Sequence, residues 1–171
     1  MKNLKLFEDF GDPKSLALPL EEAVEKSMSG SKKSILLLTD GPGVQEAAQV
    51  ADDLGALLIH IDAGLITPEV FGRPEMTADR RAVYSGRPGM HRSPSGIPQF
   101  LPYGEFSSPM ILLFSGVNKA SGQVLNSLMN LVTRRKTGNY TLPENCIIIV
   151  SDSDAEDLGP AMMDRVILAK P

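Results

Sequence analysis

Apolar residues in this chain gather into short unbroken runs, and the stretches between them carry a helical period. The runs are Ile35-Leu36-Leu37-Leu38, Leu57-Leu58-Ile59-His60-Ile61, Met110-Ile111-Leu112-Leu113-Phe114, Cys146 to Val150, and Val166-Ile167-Leu168. Runs of three to five such residues, bounded by turn formers, read as strands covered on both faces, as in a parallel sheet. Leu20, Ala23, Val24 and Ser27 share one helical face over Pro19 to Met28, with Gly30 as a stop. Pro19 suits the first turn of that helix, and Glu21 and Glu22 suit its positive end. Val44, Ala47, Ala48, Ala51 and Leu54 share a second face before Gly55. Val124, Leu125, Leu128, Leu131 and Val132 share a third, with Ser121 placed to cap it. A short helix opens at Pro160 and runs through Arg165. The alternation predicts an α/β fold: a three-layer αβα sandwich with a mostly parallel five-stranded sheet.

Two stretches lack either period. Residues 1–17 read as an N-terminal arm ahead of a single α/β domain over 18–171. Residues 67–109 read as an insertion rich in Pro and Gly, holding Pro68, Pro74, Pro88, Pro94, Pro98 and Pro102. Arg73, Arg80, Arg81, Arg87 and Arg92 make the insertion locally basic, so it is either a solvated surface loop or a partner contact.

Composition narrows the function classes. The net charge of −4 gives no general attraction to nucleic acid or to anionic membrane. No apolar run approaches the ~20 residues of a membrane span. A single cysteine, Cys146, excludes an internal disulfide and suits a reducing, cytoplasmic setting. Two histidines and one cysteine, far apart, leave no expected metal site.

The candidate chemistry centres on Ser34 to Gly55, which reads as strand, Gly/Pro loop and helix. That is the layout in which backbone N–H groups and a helix N-terminus face a phosphate. Set on the frame G-x-x-x-x-G-K-[ST], however, the chain offers Asp40-Gly41-Pro42-Gly43-Val44-Gln45-Glu46-Ala47. Glu46 replaces the lysine and Ala47 the hydroxyl that would bind magnesium. A unit charge ~4 Å from a phosphate is worth about 4 kcal/mol at an effective dielectric of ~20. Replacing attraction by repulsion there costs roughly three or more decades of affinity. A lysine from elsewhere (Lys32, Lys33 or Lys119) is the only evident compensation. A dinucleotide fingerprint on Gly41, Gly43 and Asp62 fails at its third glycine, which is Glu46.

Four segments together resemble the AAA+ ATPase core, a P-loop NTPase fold, and within it the MoxR-like and dynein-related branch. Ile35 to Gly55 resembles its first strand, phosphate loop and helix. Met110 to Ala120, MILLFSGVNKA, resembles its second strand motif. Arg134 to Pro143, RRKTGNYTLP, resembles the hairpin before its sensor strand, and Leu158 to Val166, LGPAMMDRV, the segment bearing its arginine finger. The resemblance implies that Gly41, Pro42, Gly43, Val44 and Gln45 are a vestigial phosphate loop. It puts Ser115 and Gly116 where an Asp-Glu pair would hold magnesium, and Asp152 near the sensor position. Arg165 keeps the type of the arginine finger, which acts on a neighbouring subunit, and it has a structural salt bridge with Asp164 or Asp157 as its bland alternative. No helical lid is expected after Pro171.

These departures imply a pseudo-ATPase: Glu46, Ala47, Ser115, Gly116 and Asp152 are degenerate positions, no catalytic residue is expected, and ATP with magnesium is disfavoured. The expected function is binding, as a scaffold or regulatory subunit. It would form a homo-oligomer or dock on a partner protein, an active AAA+ ATPase among the candidates, with Arg165, Arg134, Arg135 and Lys136 as interface residues. Two alternatives stay open. One is an ATPase with rewired residues. The other is a nucleic-acid-associated accessory protein that uses Arg134-Arg135-Lys136 at a hairpin tip. Among smaller candidates, His60 reads as a packed core residue, His91 has no evident partner, and Asp152, Asp154, Glu156 and Asp157 read as a solvated acidic loop. Ser115 lacks a visible His/Asp pair and a nucleophile elbow, which argues against a hydrolase.

Overall fold

The computed structural model describes residues 13–71, 73–76, 82–85, 108–137, 140–154 and 160–171. Six strands form one sheet: β1 (Leu18–Pro19), β2 (Ser34–Leu38), β3 (Leu57–Asp62), β6 (Met110–Ser115), β9 (Cys146–Asp152) and β10 (Val166–Lys170). Their order is β1-β10-β2-β9-β6-β3, and every neighbouring pair is parallel. The five strands read from the apolar runs are all present. The sixth, β1, is two residues long and lies inside the stretch read as arm and helix start, too short to leave a pattern.

Alternation along the strands divides the core into two layers. Leu36, Leu38, Met110, Leu112, Phe114, Ile148 and Val150 face α4 (Gly122–Arg134) and α5 (Pro160–Met163). Ile35, Leu37, Ile111, Leu113, Ile147 and Ile149 face α2 (Leu20–Lys26) and α3 (Val44–Leu54). A run with no polar residue is what a strand needs when helices cover both its faces. The helix α3 buries Ala47, Val50 and Ala51, so its inner face is turned toward Val50, and Val44 and Leu54 are only partly buried. A four-residue helix, α1 (Pro13–Leu16), precedes β1.

The first helix leaves the helical region at Gly30, at φ 139, the residue read as its stop, and Lys32 at φ 49 completes the turn into β2. Two further readings need correction. Within the stretch read as patternless, β4 (Arg73–Met76) and β5 (Ala82–Ser85) pair antiparallel. Residues 77–81 and 86–107 of that insertion, with Arg80, Arg81, Arg87, Arg92 and His91, lie outside the described residues. The stem of the expected hairpin is present as β7 (Lys136–Thr137) against β8 (Tyr140–Thr141). Arg134, however, is the last residue of α4 and Arg135 its left-handed cap, so neither is at a hairpin tip. Among the described residues no helix is long and apolar enough to cross a membrane.

The topology fixes where a ligand site can form. The loop after β2 leads to α3 on one face of the sheet. The chain after its neighbour β9 leads to α5, whose Met162 packs on the other face. The two connections diverge at the carboxyl ends of adjacent strands, and a crevice opens between them.

Candidate functional site at the carboxyl edge of the sheet

A cleft of about 340 Å³ lies in that crevice. Its walls come from the loop after β2 (Thr39, Asp40, Gly41, Pro42), from Asp62 ending β3, from Ser115 ending β6 with Gly116, Asn118 and Lys119 after it, and from Ser151 to Ser153 at the end of β9.

The loop is held by its neighbours. Thr39 N donates to Asp152 O at 2.9 Å, which extends the β2–β9 ladder by one step. The buried Ser151 hydroxyl donates to Pro42 O at 2.8 Å. Gly43 then turns the chain at φ 72, and its carbonyl accepts from Ala47 N, the first turn of α3. A Cβ on Gly43 would stand 2.7 Å from Leu37 Cδ2 in the core, so residue 43 is glycine for space as well as for φ.

Of the expected vestigial phosphate loop, only Gly41 and Pro42 line the cleft. Gln45 and Glu46 face away from it, into a separate groove with Pro19, Glu21, Gln49 and Pro171. Ala47 is buried in the core. The negative charge in the cleft therefore comes from Asp40, Asp62 and Asp152 rather than from Glu46. Of the three lysines considered as compensation, only Lys119 reaches the cleft. Lys32 pairs with Glu144 at 2.9 Å, and Lys33 Nζ donates to Asp164 O, both at the opposite edge of the sheet. Exposed Glu144 is held below the usual carboxylate range by its hydrogen bond and charge contact with Lys32.

The carboxylates in the cleft serve the backbone. Asp152 Oδ1 accepts from Ser153 N at 2.7 Å and from Asp154 N at 3.4 Å, which closes the turn after β9. Asp62 Oδ1 accepts from Gly64 N at 2.9 Å. The same oxygen occupies the space a Cβ on residue 116 would need, and Gly116 lies at φ 66. Residue 116 is therefore glycine for space as well as for φ. Among the described residues no group of three or more His, Cys, Asp or Glu side chains could hold a metal ion.

Two residues behave differently from their sequence reading. His60 is exposed on the outer strand β3 rather than packed in the core, and its Nε2 lies 2.7 Å from Ser115 Oγ. Ser115, read as having no histidine partner, therefore has one across the sheet. Arg135 donates from Nη2 to Cys146 O at 2.6 Å and to Pro143 O at 2.9 Å. Its guanidinium is committed to the chain's own carbonyls, while Arg134 and Lys136 are exposed.

Arg165 is exposed between α5 and β10, and among the described residues no carboxylate pairs with it. It sits at the amino edge of the sheet, because the next residue, Val166, is in register with Ser34 at the start of β2. Asp157 lies outside the described residues. Ser151 was not singled out by sequence, although a polar residue closing an apolar run is the signal that marks it. No family model matches the sequence, and no curated protein matches it.

Proposed function

We propose that this chain is a degenerate AAA+-like domain that binds without hydrolysing ATP, and that it associates head to tail with further copies of itself. One observation carries the reading. Among the described residues, the cleft at the switch point is lined by the carboxylates of Asp40, Asp62 and Asp152 and by one ammonium, Lys119. A polyphosphate entering there meets net repulsion, and Ser115 and Gly116 supply no carboxylate pair for magnesium. The loop after β2 is held by Gly43 and the Ser151–Pro42 bond, which supports a formed cleft without phosphate chemistry.

Arg165 supports the head-to-tail arrangement. It lies at the edge opposite the cleft, and five residues of β10 put it roughly 15 Å or more from its own cleft. A neighbour's cleft offers the guanidinium carboxylates where an active relative offers phosphate. Such a contact is heterologous and builds a ring or a filament. Light scattering over a range of concentrations tests this. The reading predicts masses at multiples of 18.4 kDa that fall toward the monomer in Arg165→Glu. A protein that stays monomeric at every concentration contradicts self-association, and the binding role then requires a different protein as partner.

A further inference from the structure

We infer that Ser115 and His60 are a nucleophile and its general base, able to transfer the acyl group of a small ester through the cleft. This rests on their geometry and not on the binding role.

Ser115 ends β6 and is 3% exposed, yet it forms part of the cleft wall. Its hydroxyl is 2.7 Å from His60 Nε2, within the reach proton transfer requires. The histidine approaches diagonally, since the residue of β3 in register with Ser115 is Asp62, two positions further on. His60 does not line the cleft. Ser115 thus borders the cleft and its hydroxyl meets an imidazole, the pairing that activates a serine. The Asn118 and Lys119 side chains line the same cleft and are the donors available to a developing oxyanion. Asp40, Asp62 and Asp152 disfavour an anionic substrate, and about 340 Å³ admits only a small acyl group. The class is therefore a neutral or cationic carboxylic ester.

The step balances without a redox partner. Ser115 Oγ attacks the ester carbonyl carbon, and its proton passes to His60 Nε2. The tetrahedral oxyanion collapses, the bond to the alcohol oxygen breaks, and the imidazolium returns the proton to that oxygen. Water then attacks the acyl-serine, with His60 again taking and returning a proton. One ester and one water give one acid and one alcohol, and Ser115 is restored.

A fluorophosphonate probe, read by intact mass and peptide mapping, tests the pair, with p-nitrophenyl acetate as a turnover substrate. The expected result is one probe on Ser115 of the native protein and none on heat-unfolded protein or on Ser115→Ala. His60→Gln, which retains hydrogen-bonding capacity but is no base, should slow labelling by about 100-fold or more with an unchanged circular dichroism spectrum. A hydrogen bond that serves only the sheet edge would not produce labelling at all. Native protein that takes no probe at Ser115, or His60→Gln that labels as fast as the parent, overturns the assignment. Both readings hold even if Ser115→Ala fails to fold.

Discussion

Gly43 shows how much a single position can fix. It turns the chain at φ 72 between β2 and α3, and a side chain there meets Leu37 in the core. Gly43→Ala should lower stability by about 2 kcal/mol or more, seen as a fall in the urea midpoint at unchanged slope. Cys146 is a second case. Burial pushes its thiol up to about 11 against the opposing pull of Arg135. A raised native value means the folded thiol stays protonated where the unfolded one ionises. Its contribution is complete below the ordinary value of 9.0 and is lost as pH rises through about 11. Iodoacetamide at pH 8 should leave the native thiol unmodified over the time in which urea-unfolded protein is fully alkylated. Cys146→Ala should lose less stability than the parent between pH 9 and pH 11. At this scale the sequence was a partial guide. Gly43 was legible as a loop glycine, but its contact with Leu37 depends on how the loop folds back. The Ser115–His60 bond was illegible, because it depends on the β3–β6 register, which apolar runs do not encode.

Among the elements, β2, β6 and β9 were readable because helices on both faces demand unbroken apolar runs, whereas β3, read as equally buried, is an outer strand in which only Ile61 is buried. Short elements were not readable. The two residues of β1 are too few for a period, and β4–β5 lies in a stretch whose prolines suggested no pairing. The junction of α4 and the β7–β8 hairpin was misread because Arg134-Arg135-Lys136 looks like one solvated charge run. Its middle member is half-buried: Arg135 caps α4 and ties Pro143 and Cys146 to it. Arg135→Ala should therefore cost about 1–3 kcal/mol in chemical denaturation, because two carbonyls lose a charged donor. Arg134→Ala should change stability by no more than about 0.5 kcal/mol. Equal effects would mean that Arg135 is an ordinary surface arginine.

For the molecule as a whole, the sheet order and the divergence after β2 and β9 decide where a ligand can enter. Sequence reading located the loop correctly but gave the repelling charge to Glu46, which the helix turns outward into another groove. In the proposed reading the repulsion comes instead from Asp40, Asp62 and Asp152, which the assembled sheet, and no single motif, brings together from three strand ends. Arg165 lies at the other edge, and the proposed head-to-tail contact between copies would use that polarity. The most direct test is calorimetric titration of the protein with ATP in the presence of magnesium. The account predicts no binding heat up to millimolar nucleotide. Saturable binding at micromolar nucleotide, lost in Lys119→Ala, would mean that the lysine outweighs the three carboxylates and would contradict it.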